Sequence, residues 1–395
     1  MGFRIYFGFW ILGLGFVVNC GSESVVTLAG VSSNTPAASL NLSPQEKIYA
    51  AAAFFTDTVG SIATVGVNAP HPVQTAQALT DSSDVVLRSA GGLLYVINRG
   101  SSTIQVLDPD SFKILGNYSV GASSNPQDLI VHNGKAYITR LDSQLDKSNS
   151  DDLWIVDPLT GSLLKSIDLK PFTTDDGNRL ARASQMVAVG NSLYILLQDL
   201  SSNFKATTNG KVVVLDLTTD TVVDLNATVA GVQVIQLVGR NPTSIAYSAA
   251  IDRIYITDTG YFDDFFNNDP KTLFGGIELI DPNKNTTFGI LIDDLLFGGN
   301  LSNVVLVSAN LACVTVEASR VASFNPSTLA VIQTNLYTSP GGFIPELLVD
   351  KNGLLWIPEK DPASNGLVKI DPTNGAVLAG PLGVGAFPIS MTLIP

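Results

Sequence analysis

Short apolar segments along this chain repeatedly end on a charged or amide side chain: Asp57, Arg99, Arg140, Gln198, Asp258, Glu317 and Glu359. These positions are equivalent to within one residue, so the expectation is a polar ring around a common axis. Arg99 and Arg140, from neighbouring repeats, would clamp a carboxylate or phosphate through forked hydrogen bonds, with Arg240 assisting. The acids of the set offer a different chemistry. Asp57, Asp258, Glu317 and Glu359 are oxygen ligands of the kind Ca²⁺ takes, and a held cation would polarise an ester or lactone for hydrolysis. In a third outcome the arginines and acids pair with one another and the ring only stabilises the rim.

A second acidic group runs from Asp258 through Asp263, Asp264 and Asp269. Its oxygen density suits Ca²⁺, its spacing does not follow the EF-hand loop, and a solvated acidic loop explains it equally. Tyr261, Phe262, Phe265 and Phe266 lie in the same stretch, either as an interaction loop or as a lid folded over a local core. Other chemistry is missing. His71 and His132 are the only histidines, and neither sits in a metal-ligand pair or beside a nucleophile. There is no haem-attachment motif and no glycine loop that would cradle phosphates. The expected cofactor is none, with Ca²⁺ as the one candidate. A binding scaffold is expected rather than an enzyme.

The elements that must position these residues are a repeated phrase. It occurs as Ile62–Gly66, Ile104–Asp108, Leu153–Asp157, Val212–Asp216, Ile277–Asp281, Val321–Asn325 and Leu367–Asp371, an alternating apolar strand that usually closes on an acidic turn. Several copies continue as Asp-Pro, a turn device in which Asp bonds its own backbone and Pro presets φ. Before each phrase lies a strand with a bulky start, as in Tyr95-Val96-Ile97-Asn98 and Tyr255-Ile256-Thr257-Asp258; the first of these is expected at Phe54-Phe55-Thr56-Asp57. Naming the strands A to D outward, the phrase is C and the bulky strand is B. Strand A is expected to start near Asp84, Gln127, Gln185, Thr243, Asn303, Glu346 and Ile389. A period of this size means stacked copies of one small sheet. The fold class is all-β: a seven-bladed β-propeller of four-stranded antiparallel blades. Its closing blade takes strands B, C and D from the N-terminal side and A from the C-terminus, which removes the open ring edge.

This topology separates two faces. A–B and C–D connections are tight and share one face. B–C loops swell at 141–151, 199–210, 259–276 and 360–366, D–A loops at 171–183 and 297–302, and all share the other, where binding is expected.

Tyr95-Val96-Ile97-Asn98 followed by Ile104-Gln105-Val106-Leu107-Asp108-Pro109 resembles the Y-V-T-N repeat, and the chain is similar to YVTN-type (YncE-like) β-propellers of bacterial cell envelopes over about residues 50–395. Blade 5 departs most, with Cys313 for the aromatic and Asn325 for the Asp. The resemblance implies a seven-bladed exported propeller and transfers no activity. Propeller lactonases, which hold Ca²⁺ in the channel with Asp, Glu and Asn, supply the alternative reading; the neighbouring arginines weigh against it.

The N-terminus reads as an export signal over residues 1–19. Arg4 precedes an uncharged apolar run, and Val17-Val18-Asn19-Cys20-Gly21 resembles a lipobox with Asn19 in place of the usual small residue. Cys20 is then the lipidated residue, residues 20–48 a tether and 49–395 the propeller. Gly21, not being Asp, points to the outer membrane. With Cys20 lipidated, Cys313 is a buried inert thiol. The 22 Lys and Arg against 35 Asp and Glu give a formal charge of −13, which disfavours nucleic acid. The expected partners are the membrane through the lipid and an envelope protein, glycan or small anionic ligand, bound by a monomer.

Overall fold

The computed structural model describes residues 46–54, 56–174, 179–260 and 275–394. Residues 46–395 make one compact unit. Seven sheets close a ring, and each runs A-B-C-D from the axis outward. The seven C strands begin at Ser61, Thr103, Leu153, Lys211, Gly276, Arg320 and Gly366, each on its repeated phrase. The closing blade, blade 7, has the order Val73–Leu79, Ser61–Gly66, Lys47–Ala52 and Pro388–Leu393, so the two chain ends share one sheet as expected. Blade 3 departs from the pattern. Its outer strand is broken into Thr221–Val222 and Ile235–Gln236, both paired to Lys211–Asp216.

One strand was misplaced by the sequence. Strand B of blade 7 is Lys47–Ala52, not Phe54–Asp57, and it pairs with both Ser61–Gly66 and the C-terminal strand. Tyr49 takes the aromatic position. Phe54-Phe55 looks more strand-like than Tyr49-Ala50-Ala51-Ala52, because Ala is a poor strand former. Packing decides otherwise: Ile48, Ala50, Ala51 and Ala52 are all buried between neighbouring blades.

The cores lie between blades, where each strand's alternate side chains meet the next sheet. One such cluster joins Tyr137, Leu153 and Ile155 of blade 2 to Met186, Ile195 and Val213 of blade 3. The repeated aromatic and the repeated Pro turn out to be two halves of a latch between blades. Tyr49, Tyr194 and Tyr255 each donate their hydroxyl to the carbonyl of Pro109, Pro282 and Pro326 in the next blade's C–D turn, at 3.3, 3.1 and 2.9 Å. Tyr137 reaches the Asp220 carboxylate of the next turn at 2.6 Å, and in blade 1 the D-strand residue Tyr118 bonds Pro158 at 3.2 Å. The turns themselves are held by the acid: Asp108 accepts from the Ser111 amide at 2.8 Å and Asp157 from the Thr160 amide at 2.8 Å. Asn325 does the same for Thr328 at 3.0 Å, so the blade 5 departure costs the turn nothing. Cys313, also in blade 5, is fully buried, and burial pushes its thiol up to about 12.

Candidate functional site

Strand parity decides what the ends of the B strands can do. Successive side chains point to opposite faces of a sheet, so a one-residue offset reverses a side chain's direction. The last B residues are Asn98, Arg140, Leu197, Asp258, Val316, Glu359 and Ala52, and all are buried. The next residue is Arg99, Gln198, Glu317 or Lys360 in four of the blades. The expected polar ring therefore mixes two parities and does not assemble as one rim.

The buried set clamps loops. Arg140 donates to the Val120 carbonyl at 2.8 Å, to Asn149 and Asp151 carbonyls at 2.9 and 2.6 Å, and to the Asp146 carboxylate at 2.6 Å. Its guanidinium also lies 4.2 Å over the Trp154 ring. A side chain at Gly121 would overlap both Arg140 and Asp146, and φ there is +94°, so glycine is required twice over. Glu359 accepts from Ser339 and Tyr337 hydroxyls at 2.8 and 3.0 Å and from Gly341 and Asp361 amides at 3.0 and 3.1 Å. Asn98 accepts from the Asp81 amide at 2.9 Å. In blades 1, 2 and 6 the polar end of strand B thus holds the D–A loop that precedes its own blade. Neither Arg140 nor Glu359 faces the channel.

Asp258 belongs to the same position. It is fully buried, and as a carboxylate neither oxygen finds a donor. Burial, then the nearby Glu278 carboxylate, raise its pKa well above the ordinary range, and it shares a hydrogen bond with Glu278. Asp258 is thus the protonated partner. Glu278 in turn accepts from Val238 and Gly239 amides, both at 2.9 Å, which is again a D–A loop clamp. Glu317 is exposed and pairs reciprocally with Asn300: amide to carbonyl and carboxylate to amide, both 2.8 Å. Gln198 bonds the Arg182 carbonyl through its amide at 3.3 Å, and the Arg240 carbonyl accepts from Gly260 at 2.9 Å. Asp57 lies in the turn after strand B of blade 7, exposed, accepting from the Phe54 amide at 2.9 Å. Asp258, Glu317 and Glu359 each serve a different loop. Among the described residues no group of His, Cys, Asp and Glu comes together as a metal-binding set. Cys20, Tyr261, Phe262, Asp263, Asp264, Phe265, Phe266 and Asp269 lie outside the described residues.

The axis itself is built from strand A. In five blades a side chain near the start of strand A accepts from a backbone amide of the next blade's strand A. Asp128 takes Met186 at 2.9 Å, Gln185 takes Ile245 at 3.4 Å, Ser244 takes Val304 at 3.2 Å, Ser390 takes Leu87 at 3.0 Å, and Glu346 takes Met391. Each donor lies opposite the second residue of strand B, so the link is one device repeated. Asn303 closes the fifth junction by donating to the Pro345 carbonyl at 3.0 Å. Blade 1 has Val86 at the equivalent place, and Arg88 reaches Asp128 at 2.6 Å instead. This girdle satisfies amides on the inner edge of the sheets, which no further strand covers. The sequence reading had marked the starts of these strands but gave their polar residues no role.

Above the girdle, blades 1 and 6 meet over blade 7. Arg99 pairs with Asp84 through Nε at 2.8 Å and through Nη2, and reaches Gln127 at 3.4 Å. Glu346 feels burial first and then Arg88, with the net effect of raising it to about 7. Burial first, then Arg99, lowers Lys360 to about 8. Lys360 was not among the residues expected here.

The long loops of blades 2 and 3 are held by further buried charges. Arg182, 2% exposed, pairs with Asp142 and lies 3.9 Å over the Phe204 ring. Lys211 pairs with Asp199, which is fully buried and also takes the Thr174 hydroxyl at 2.6 Å. Asp152 bonds Ser143 at 2.6 Å and the Leu169 amide at 2.8 Å, and burial raises it to about 6. Leu200–Ser201 and Arg179–Leu180 add a two-stranded sheet on this face. Such loops are fixed in advance of any encounter.

No family model matches the chain, and no curated protein matches it. Solved structures do. A Bacteroides uniformis protein bearing the name "putative 6-phosphogluconolactonase" is similar at 13% identity and TM-score 0.61, covering 89% of this chain and 100% of that one. A functionally unknown protein from Desulfotomaculum acetoxidans matches at 12% identity and TM-score 0.57, covering 89% and 99%. Hydrazine synthase of Kuenenia stuttgartiensis matches at 12% identity and TM-score 0.56, covering 87% and 100%. At such identities the likeness concerns the β-propeller fold alone.

Proposed function

We propose that this chain is a lipid-anchored, YVTN-type propeller of the bacterial cell envelope that works as a binding scaffold through its long-loop face. One observation carries the reading: the buried charges of the loop face are spent on holding loops. Arg140, Arg182, Lys211 and Glu359 are each at most 9% exposed and engaged with loop groups. Buried ion pairs add little net stability, but they fix geometry, and a fixed surface loses less entropy when it docks. The opposite face consists of short turns whose acids are occupied by their own backbone. An envelope protein, a glycan or a small anion are the classes of partner this face would take. The Ca²⁺-assisted hydrolase reading needs Asp258, Glu317 and Glu359 at a common point, and each is committed elsewhere.

The anchor and the face are tested separately. Metabolic labelling with an alkynyl fatty acid should mark the wild type and not Cys20→Ala; equal labelling removes the lipid. Photocrosslinking from the two faces in intact cells tests the docking surface.

A further inference from the structure

Lys360 is the first residue past strand B of blade 6, and its surroundings place it over the axial channel. It feels Arg99 and Asp84 of blade 1 together with Glu346 of its own blade, and blades 6 and 1 are separated by blade 7. Groups from both can meet only across the axis. The residue is 9% exposed, and its amine stands 4.7 Å from the centre of the Phe343 ring. The D–A loop carrying Phe343 comes this close because residue 341 is glycine; a Cβ there would overlap the Lys360 backbone.

An ammonium in this place has lost most of its water, sits against an aromatic ring and faces a guanidinium. Lost water and a like charge both favour the neutral amine. The acids around it are shared. Asp84 is gripped by two nitrogens of Arg99, and Glu346 is bonded to the Met391 amide and, at 3.2 Å, to the Ser390 hydroxyl. Glu359, next in the chain, turns to the other side of its strand into the loop clamp. Burial and Arg99 outweigh Asp84 and Glu346, and the amine comes down to about 8.

We propose that Lys360 is a nucleophilic amine that captures the carbonyl group of a small aldehyde or α-keto acid entering the channel from the loop face. The nitrogen lone pair attacks the carbonyl carbon, and a proton passes from nitrogen to the former carbonyl oxygen, giving a carbinolamine. Loss of that oxygen as water leaves an imine. The step needs no oxidant or reductant. Arg99 supplies the cation toward which the carboxylate of a keto acid orients. The proposal does not depend on what docks on the loop face.

The test uses purified protein with glyoxylate and cyanoborohydride, which reduces an imine to a stable carboxymethyl group that peptide mass spectrometry locates. Lys284 and Lys351, with side chains 73% and 60% exposed, are the reference amines. At pH 7.5 the Lys360 peptide is expected to be modified roughly tenfold faster or more than either, since an ordinary lysine titrates near ~10.4. Arg99→Gln should move the pH profile of Lys360 modification upward, slowing it at neutral pH and leaving the rate near pH 10.5 unchanged. Lys360→Arg, checked for folding by circular dichroism, should lose only that adduct. Modification of Lys360 no faster than of Lys284 and Lys351, or a pH profile that Arg99→Gln does not move, overturns the proposal.

Discussion

The Tyr255 hydroxyl donates to the Pro326 carbonyl at 2.9 Å, joining strand B of blade 4 to the C–D turn of blade 5 across 71 residues. The same pairing recurs between Tyr194 and Pro282 and between Tyr49 and Pro109. The two most visible features of the repeat are therefore parts of one contact between neighbouring blades. Tyr255→Phe keeps the ring and removes the bond, leaving a buried carbonyl unsatisfied. A loss of about 1 kcal/mol is expected, with Tyr49→Phe smaller because its bond is longer. Urea unfolding monitored by tryptophan fluorescence measures both.

Arg140 gives the sharpest contrast between a loop clamp and a ligand clamp. Arg140→Met removes the partner of buried Asp146 and four donated hydrogen bonds. Breaking one side of a buried pair costs about 3–5 kcal/mol. A drop of several degrees in Tm is expected; an unchanged Tm would mean that Arg140 is free to serve a ligand.

Glu346 sets a pH dependence. Its native pKa of about 7 stands above the ordinary 4.5, so between these values the folded chain holds a proton that the unfolded chain has released. Its contribution is full below the unfolded value and is lost as pH rises toward 7. Asp294, raised to about 7 by burial and Asp293, and Asp152, raised to about 6 by burial, act with the same sign. Thermal unfolding should show Tm falling from pH 5 to pH 8. Glu346→Gln keeps an acceptor for the Met391 amide and should flatten part of that slope, leaving the variant the more stable protein at pH 8.

Much of the fold was legible because the repeat is local. Each C strand and its acidic turn can be read within a dozen residues, and counting strands from the two ends gives the shared closing blade. Strand B of that blade was not legible, because Ala50, Ala51 and Ala52 are chosen by crowding between blades rather than by strand preference. The site was less visible for a related reason. Arg140 and Arg99 occupy adjacent positions of the pleat, and which of them meets the channel depends on a register that a tolerance of one residue erases. The axial girdle joins residues about 40 to 60 positions apart in most links, as between Asp128 and Met186, so no short window contains both halves of a link. Lys360 looked like any surface lysine until Phe343 and Arg99 were seen beside it.

Cys20 governs where the propeller works. Cys20→Ala should release the protein from the membrane fraction while leaving the Tm of the propeller unchanged, since the propeller's compact unit begins at Glu46. Fractionation with detergent phase partitioning reads the first effect and differential scanning fluorimetry the second. Retention of the variant in the detergent phase would point to another anchor.

The central claim, that the loop face is the docking face, is tested most directly by photocrosslinking in intact cells. A photoreactive amino acid is placed at Ser150, Asn203 or Ala363 on the loop face and at Ser111, Thr219 or Asn374 on the turn face, all exposed positions. Discrete crosslinked species from the loop-face positions, with none from the turn face, is the predicted result. Discrete species from the turn-face positions alone, or none from either face, would contradict it.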